Sequence, residues 1–302
     1  MNRLSSYILF LFFTISACGR VSESNGPKYS ATPANDTIQI FHFAVHPLHN
    51  PTMLLQTYQP LIDYLNKNLT GAKIILEASK DYATFEQKFY NRKPGFILPN
   101  PWQTMQAIKA GYHVIAMAGD PADFKGIFIV RKDGGIHEPV DLKGKTVSYP
   151  SPTALAACIM PQDFLYRHGI DVNNDIINAY VGSQESSIMN VYLKKSSCGV
   201  TWPTPWRAFQ RNHPQEASEL KVIWETEPMI NNSVMVRDDV PLNIREFVIE
   251  KLVVMHNTEQ GMKILNEIET KRFYNANNAD YEIVQHFIDR FEKEIRKVKT
   301  DN

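Results

Sequence analysis

The sequence predicts an α/β protein in which two lobes enclose a ligand-binding cleft. Short apolar runs such as "TIQIFHFAV" alternate with longer segments such as "TMLLQTYQPLIDYLNKNL", whose apolar residues recur at helical spacing. Repeated strand–helix units favour sheets built from parallel strands. Two turn-rich breaks, near residues 133–135 and 226–232, flank a middle block and indicate that one lobe is inserted into the other. We expect the site in the cleft, with the two connecting strands as a hinge.

The first half of the chain contains five strand candidates, which are short and rich in β-branched or aromatic residues. They are "TIQIFHFAV", "KIILEA", "GFIL", "HVIAMA" and "GIFIVRK". Three helix candidates lie between them: "TMLLQTYQPLIDYLNKNL", "YATFEQKFYN" and "WQTMQAIKAG", the last closed by Gly111.

The second half follows the turn-rich segment "KDGGIHEPVDLKGK". Its strand candidates are "TVSY", "INAYV", "CGVTW", "LKVIWET" and "NSVMVRDD". Its helix candidates are the segment that ends at Gly169, "ESSIMNVYLKK", "PWRAFQRN" and most of the tail after Pro241. These elements predict lobe one from residues 37–131 and 225–302, and lobe two from residues 132–224.

Five of the helix candidates begin without charge, at a polar residue that follows a short apolar run. The polar residues are Asn50, Asn100, Ser151, Ser183 and Thr204, and proline follows all of them except Ser183. Such residues are favoured N-caps, and proline is favoured at the first helical position. At Ser151-Pro152 this pattern leaves the next backbone N–H groups pointing out of a helix end, which is a ready anion site. Because ligands bind at the carboxyl ends of parallel strands, these starts predict the rim of a site.

The N-terminus, "MNRLSSYILFLFFTISACGR", contains Arg3 and an apolar run too short for a comfortable membrane-spanning helix. Its Ile-Ser-Ala-Cys sequence ending at Cys18 resembles the bacterial lipoprotein signal, which is cut before a cysteine that becomes lipidated. The resemblance implies a signal peptide over residues 1–17 and lipid on Cys18. Residues 18–36 are polar and predict a flexible tether. We expect an exported protein anchored to a membrane; an uncleaved anchor or an ordinary signal peptide is the alternative.

The composition excludes several classes of function. Lys plus Arg and Asp plus Glu each number 32, so the formal net charge is zero, whereas a nucleic-acid-binding protein needs a basic excess. No His, Cys, Asp or Glu cluster has metal-ligand spacing, and we expect neither metal nor cofactor. Cys158 and Cys198 remain beside Cys18. Two separate buried thiols are the preferred interpretation, and a disulfide between them is the alternative that an exported compartment permits.

Several segments in order resemble a known family. They are "YQPLIDYLNKNL", "SKDYATFEQKF", "GIFIVRKDGGIHEPVDLKGKTVSYPSPTALA", "YVGSQESSIMNVYL" and "NSVMVRDDVP". The order resembles the phosphonate/phosphate/phosphite-type substrate-binding proteins of ABC transporters, over most of the chain after the tether. The resemblance implies a two-lobed periplasmic-binding-protein type II fold, in which each lobe is a mixed sheet flanked by helices and the cleft closes around a small ligand.

The family's oxyanion-binding junction has a Ser-Thr-Ser-Gly type of cradle, and this chain departs from it. Ser151 and Thr153 keep hydroxyls, but Pro152 and Ala154 replace other members, and Gln184 stands where the family tends to have histidine. The backbone part of an anion cradle is retained, while some side-chain donors are not. A phosphonate- or phosphate-like oxyanion is the favoured ligand, and a small organic amine or vitamin precursor is the alternative.

The candidate ligand-binding residues follow predicted strands or open predicted helices, and they supply hydroxyls, amides or aromatic faces. They are His46, Asn50, Tyr82, Asn100, Trp102, Ser151, Thr153, Ala154, Ser183, Gln184, Trp202 and Thr204. Several also have a structural interpretation: the polar residues as helix caps, Tyr82 and the tryptophans as packing aromatics, and His46 as a satisfied histidine.

The favoured function is a monomeric solute-binding lipoprotein that delivers its ligand to an ABC permease. A ligand-sensing subunit for a membrane sensor kinase uses the same cleft and remains an alternative. An enzyme would need a nucleophile–base set or paired carboxylates, and the only carboxylate near these helix starts in the sequence pattern is Glu185. A purely structural surface lipoprotein is the third class and predicts no ligand at all.

Overall fold

The computed structural model describes residues 38–299, which form two mixed sheets with helices packed around them. The strands are β1 Gln39–Val45, β2 Ala72–Glu77, β3 Phe96–Leu98, β4 Tyr112–Ala118, β5 Ile127–Arg131, β6 Thr146–Tyr149, β7 Ile177–Tyr180, β8 Cys198–Thr201, β9 Leu220–Glu225, β10 Ser233–Arg237 and β11 Phe273–Tyr274. The helices are α1 Pro51–Asn66, α2 Tyr82–Tyr90, α3 Pro101–Lys109, α4 Met160–Arg167, α5 Gln184–Tyr192, α6 Pro203–Asn212, α7 Pro214–Ser218, α8 Leu242–Val254, α9 Glu259–Glu267 and α10 Glu282–Glu294. The signal peptide, the tether and Cys18 lie outside the described residues.

The two sheets have related topologies. The first has the order β11-β4-β10-β3-β1-β2, with β1 parallel to β2 and β3, and β10 antiparallel to β3 and β4. The second has the order β7-β6-β8-β5-β9, with β6 parallel to β7 and β8, and β5 antiparallel to β8 and β9. Each lobe therefore places the ends of three parallel strands, and the helices that follow them, at one edge of its sheet.

Two short connections, 119–126 and 226–232, join the sheets and pair with each other. The Thr226 N–H donates to the Gly126 carbonyl (2.9 Å), and the Met229 N–H donates to the Phe124 carbonyl (2.9 Å). A Cβ on Gly126 would lie 2.5 Å from the Ala156 carbonyl oxygen, so glycine lets this hinge touch the helix start after β6. The hinge is therefore in direct contact with the helix start that follows β6.

The first crossing occurs earlier than the sequence indicates. The sequence pattern assigns residues 37–131 to lobe one and places a break near residues 133–135, but β5 pairs with β8 and β9 in the second sheet. The chain therefore crosses before Ile127. An apolar run such as "GIFIV" identifies a strand without identifying its neighbours, because pairing partners lie far away in the sequence.

The apolar spacing of the sequence explains the helix faces that are buried. In α1 the buried residues recur every three or four positions, and they are Leu54, Tyr58, Leu61, Ile62 and Leu65. In α10 they are Val284, Ile288 and Phe291. The parallel strands at the centre of each sheet are buried on both faces, as their continuous apolar runs predict.

The last helix contacts both lobes. Helix α10 packs against α3 beside the first sheet. Near its carboxyl end Arg290 approaches Asp163 of α4 (3.3 Å), and Glu294 accepts a hydrogen bond from Arg167 of α4 (3.4 Å). Among residues 38–299 no helix is both long enough and apolar enough to cross a membrane.

Candidate functional site

Three of the five expected helix starts have the expected caps. The Asn50 side chain accepts from the Met53 N–H, and the Ser183 hydroxyl accepts from the Ser186 N–H. Asn100 accepts from the N–H groups of Trp102 and Gln103, and the Gln103 side chain accepts from the Asn100 N–H in return. Because these side chains satisfy the exposed donors, the three helix ends have fewer N–H groups available for a ligand.

The other two starts differ from the prediction. Ser151 and Pro152 are not the cap and first residue of a helix: the helix begins at Leu155, with a π turn over Leu155–Ile159 that continues into α4. Pro161 explains the π turn, since proline lacks an N–H and its ring crowds the carbonyl four residues earlier. Likewise α6 begins one residue after Trp202, so Thr204 lies within its first turn and is not its cap.

We call residues 151–159 the junction. Its first helical hydrogen bond runs from the Ile159 N–H to the Ala154 carbonyl (3.1 Å), and no side chain caps the turn. The N–H groups of Leu155, Ala156 and Ala157 therefore precede the first bond inside the turn. All three residues are at most 3% exposed. Buried backbone donors need an acceptor, so the junction is the helix start best suited to an anion.

Residues of lobe one hold the junction from across the cleft. The Thr153 hydroxyl donates to Glu86 Oε1 of α2 (2.6 Å), and Asn100 Nδ2 donates to the Thr153 carbonyl (3.2 Å). Within the junction, the Ser151 and Thr153 hydroxyl oxygens are 3.0 Å apart. The lobes are therefore closed on each other at this point.

A second link across the cleft joins Tyr82 to Gln184. Gln184 Nε2 donates to the Tyr82 hydroxyl (3.0 Å), and Gln184 Oε1 accepts from the Thr201 hydroxyl (2.8 Å). Tyr82 and Gln184 are each 2% exposed. Burial raises the pKa of Tyr82 well above its usual value, so the hydroxyl stays protonated.

His46 lies at the end of β1, where its Nδ1 is 2.8 Å from the Leu98 carbonyl oxygen. Its ring contacts that of Tyr82 edge-on, with centroids 6.0 Å apart. Burial lowers the pKa of His46 to about 4, so the ring is neutral near pH 7. A neutral Nδ1 that faces a carbonyl carries the proton and donates it, which leaves Nε2 as an acceptor.

Most of the remaining predicted residues lie further from the junction. Ala154 lies within the junction but has no polar side chain. Asn50 is exposed, and its Nδ2 reaches Glu185 of α5 (3.4 Å) across the cleft. Trp102 is 5% exposed and belongs to the main apolar core. Trp202 packs on Phe124 of the hinge, with ring centroids 5.5 Å apart. The structure thus brings together His46, Tyr82, Asn100, Ser151, Thr153, Ala154 and Gln184, and sets Asn50, Trp102, Ser183, Trp202 and Thr204 around them.

Two cavities flank the closed contact. The larger, about 490 Å³, opens to solvent between α2 and the segments after β6 and β7, and Tyr82, Glu86 and Ser151 are in its lining. The smaller, about 10 Å³, lies at the hinge beside Trp202, Thr204 and Asn232. It has room for about one water molecule, and the buried Asn232 Oδ1 has no hydrogen-bond partner among the described residues.

The sequence interpretation missed two site residues, Glu86 and Gln103. Glu86 is 1% exposed and accepts from Gln103 Nε2 (2.9 Å) as well as from Thr153, so Glu185 is not the only carboxylate near the helix starts. A signal for Glu86 exists in the sequence, because it falls among Tyr82, Phe85 and Phe89 on the buried face of α2. Gln103 is the third residue of α3 and closes the Asn-Pro-Trp-Gln capping box.

Other chemistry considered for the site is not supported. Cys158 and Cys198 are both buried and are not joined by a disulfide, so the bridged alternative is wrong. Burial raises the pKa of the Cys198 thiol, which disfavours the reactive thiolate. Between residues 38 and 299 no group of three or more His, Cys, Asp or Glu side chains could hold a metal ion.

Comparisons with known proteins bear on the fold and the family of the chain. Residues 43–281 match the family described as ABC transporter, phosphonate, periplasmic substrate-binding protein. A phosphate-import protein of Mycolicibacterium smegmatis is 23% identical over 302 residues, which cover 91% of this chain and 91% of that protein. A probable ABC transporter phosphite-binding protein of Prochlorococcus marinus is 23% identical over 185 residues, which span 57% of this chain and less than two thirds (62%) of the relative.

Among solved structures, PhnD1 from Prochlorococcus marinus in complex with methylphosphonate has a TM-score of 0.76 at 18% identity, over 84% of this chain and 99% of that chain. This likeness confirms the two-lobed periplasmic-binding fold with mixed sheets. The family match covers most of the described residues, including the junction and both lobes.

Proposed function

We propose a ligand for this chain, which belongs to the family of periplasmic substrate-binding proteins of phosphonate ABC transporters. The ligand is a small phosphorus oxyanion, of the phosphonate, phosphite or phosphate class, captured by closure of the two lobes at the junction. Relatives of this chain are named for phosphite binding and phosphate import, and one related structure contains methylphosphonate. The protein is a solute receptor and carries out no chemical reaction on its ligand.

The observation that carries the proposal is the uncapped, buried start of the helix at the junction. Oxyanion oxygens accept hydrogen bonds from backbone N–H groups, and a helix N-terminus adds a favourable dipole. The Ser151 and Thr153 hydroxyls already bond to each other and to Glu86, so the donors left for the ligand are the backbone N–H groups of Leu155, Ala156 and Ala157. These N–H groups can hold an anion without a Lys or Arg side chain in contact with it, because hydrogen bonds are stronger in a low-dielectric site.

Glu86 narrows the class of oxyanion. An ionised carboxylate only accepts hydrogen bonds, so beside an anion it is unfavourable unless the anion itself carries a proton to donate. Phosphate, phosphite and phosphonate retain such a proton over part of the neutral pH range, whereas sulfate does not. We therefore expect the protein to reject sulfate.

Closure links ligand capture to transport. The bonds from Thr153 to Glu86 and from Gln184 to Tyr82 exist only when the lobes are together. A ligand that adds acceptors for the junction N–H groups stabilises the closed state further, by its greater affinity for that state. The closed protein is the form that delivers its ligand to the permease.

The test uses the full-length protein, purified in detergent. Thermal unfolding and calorimetry are measured with methylphosphonate, phosphite, phosphate and sulfate, and with ethanolamine as an amine. Binding of at least one phosphorus oxyanion, with a raised melting temperature and no response to sulfate, is expected. Binding of ethanolamine alone, or of sulfate as tightly as phosphate, would contradict the proposal.

The membrane attachment is a separate proposal. The Cys18 sequence supports a lipid anchor on the exported protein. A Cys18→Ser variant is expected to lose incorporation of labelled fatty acid and to leave the membrane fraction, with ligand affinity unchanged. Retention of the label in that variant would show that the lipid is attached elsewhere.

A further inference from the structure

The segment after α10 reaches back to the junction through Arg296. Arg296 Nη2 donates to the Pro152 carbonyl oxygen (3.2 Å) and lies 3.5 Å from the Cys158 sulfur. Its Nε donates to Gln162 Oε1 in α4 (2.7 Å). One half-buried guanidinium therefore contacts the junction near both of its ends, and α4 behind it.

The orientation of one peptide group depends on this contact. In a trans peptide the carbonyl and the following N–H point in opposite directions. Because Arg296 holds the Pro152 carbonyl, the Thr153 N–H is directed away from the guanidinium, toward the Ser151 hydroxyl oxygen (3.3 Å). A carbonyl dipole that faced a bound anion would repel it, and Arg296 prevents that arrangement.

The guanidinium also supplies a positive charge behind the donors. The contacts of the junction with lobe one include the carboxyl group of Glu86, which in its ionised form places a negative charge beside a ligand anion. Arg296 opposes that charge from the other side of the same loop. Arginine suits the position because its planar, permanently charged fork reaches two acceptors at fixed angles, which an ammonium does not.

Arg296 is carried by an element that also belongs to lobe one. Helix α10 packs against α3, while Arg290 and Glu294 contact α4. The Ile295 carbonyl accepts from the Asn173 side chain (3.0 Å), which keeps the segment against lobe two. The contact of Arg296 with the junction is thus part of the same set of contacts that holds the lobes together.

We propose that Arg296 is a positioning residue for oxyanion capture: it orients the 152–153 peptide and places a fixed positive charge behind the junction. The inference rests on the proposed function, because it assumes that the junction holds an anion. It assigns the C-terminal segment a part in ligand affinity, beyond its packing.

The experiment compares Arg296→Gln and Arg296→Lys with Arg290→Gln in the full-length protein. Arg290 lies on α10, the helix that precedes Arg296, and reaches Asp163 of α4 across the same interface. Loss of a hydrogen-bonded charge predicts that methylphosphonate affinity falls roughly 10- to 100-fold in Arg296→Gln. Arg296→Lys should recover part of that loss, whereas Arg290→Gln should bind within about twofold of the wild type, even if both lower the melting temperature.

Gln162→Leu provides a milder variant: it removes the acceptor of Arg296 Nε, together with the hydrogen bond from Gln162 Nε2 to Asn178 Oδ1 (3.1 Å), and changes no residue of the junction. It is expected to weaken methylphosphonate binding by roughly fivefold. If Arg296→Gln fails to fold, this variant decides the matter.

The outcomes separate the two proposals. Wild-type protein that binds no phosphorus oxyanion overturns the proposed function, and this inference with it. Wild-type binding together with unchanged affinity in Arg296→Gln, or in Gln162→Leu where the former does not fold, overturns the inference alone. Equal losses in Arg290→Gln and Arg296→Gln would show that both act only through packing of α10.

Discussion

The start of α3 and the junction are two helix starts that face each other across the cleft. They differ in whether a side chain accepts hydrogen bonds from their backbone N–H groups. At α3 the Asn100 side chain accepts from two N–H groups, and Gln103 returns a bond to the Asn100 N–H. At the junction no side chain caps the turn, and the first helical bond begins at Ile159. Both starts are buried.

The difference shows that a polar residue before a helix is weak evidence for a binding site. A good cap satisfies the donors that a ligand would need, so it stabilises the helix and removes the site. The junction keeps the N–H groups of Leu155, Ala156 and Ala157 because the nearby hydroxyls are engaged elsewhere. Ser151 Oγ accepts from the Thr153 N–H and lies 3.0 Å from Thr153 Oγ1, which donates to Glu86.

The largest effect is expected from a negative charge at the junction. In Ala154→Asp, a carboxylate about 4 Å from a bound anion costs on the order of 4 kcal/mol, or about a 1,000-fold loss of methylphosphonate affinity. The matched control is Ser183→Asp, which keeps a good cap at α5 and should lose much less. Calorimetry on variants shown to be folded by circular dichroism measures both. Equal losses at the two positions would mean that capped and uncapped starts contribute alike.

His46 should affect stability and leave ligand affinity nearly unchanged. Its pKa is lowered by burial to about 4, below the ordinary value of 6.5, so the neutral form is favoured in the folded state. The resulting stability is fully present above about pH 6.5 and is lost as the pH falls toward 4, by on the order of 3 kcal/mol. Urea unfolding of the wild type at several pH values within this window should show the loss.

The variant His46→Gln should reduce the pH dependence of the free energy of unfolding. His49, whose pKa burial also lowers to about 4, contributes to the remaining pH dependence over the same window. Methylphosphonate affinity at pH 7 is expected to stay within about threefold, because Nδ1 of His46 already serves the Leu98 carbonyl. A large loss of affinity would place His46 among the ligand contacts instead.

Glu86→Gln should relax selectivity between oxyanions. The amide replaces an acceptor-only group with one that can donate, so the sulfate-to-phosphate affinity ratio should rise by roughly tenfold, the value of one hydrogen bond of about 1.4 kcal/mol. Glu185→Gln is the control, since Glu185 contacts Asn50 and His213 at the edge of the cleft. An unchanged ratio in Glu86→Gln would remove Glu86 from the specificity argument.

The smallest effect is expected from Tyr82→Phe, which removes the acceptor of Gln184 across the cleft. One buried hydrogen bond contributes about 1 kcal/mol, so the closed state should weaken and ligand affinity should fall roughly fivefold. Tyr90→Phe changes a half-exposed hydroxyl in the lining of the same cavity and should have no measurable effect. If the two variants behave alike, the link between Tyr82 and Gln184 does not stabilise closure.

Prediction from local pattern succeeded where the cause is local. The caps at Asn50, Asn100 and Ser183 were identified because a cap bonds to N–H groups two or three residues away. The type of fold and the family were identified from segments in order along the chain. The helix predicted to be capped by Ser151 begins three residues later, with Ala154 at the cap position, because Pro161 reshapes the turn from within the helix.

Features that depend on distant pairs were not accessible in this way. The neighbours of β5, the contact of Glu86 with Thr153 and the contact of Arg296 with Pro152 all join segments far apart in the sequence. Spacing along one segment contains no information about a partner more than sixty residues away.

Residue order alone was enough to specify an α/β receptor whose helices begin at uncharged polar residues beside short strands. Which of those helix starts retains donors for an anion was decided by folding, because a buried N–H group is available only if no neighbouring side chain satisfies it. That condition depends on contacts across the cleft and on the return of the C-terminal segment, and long-range packing alone brings these groups together.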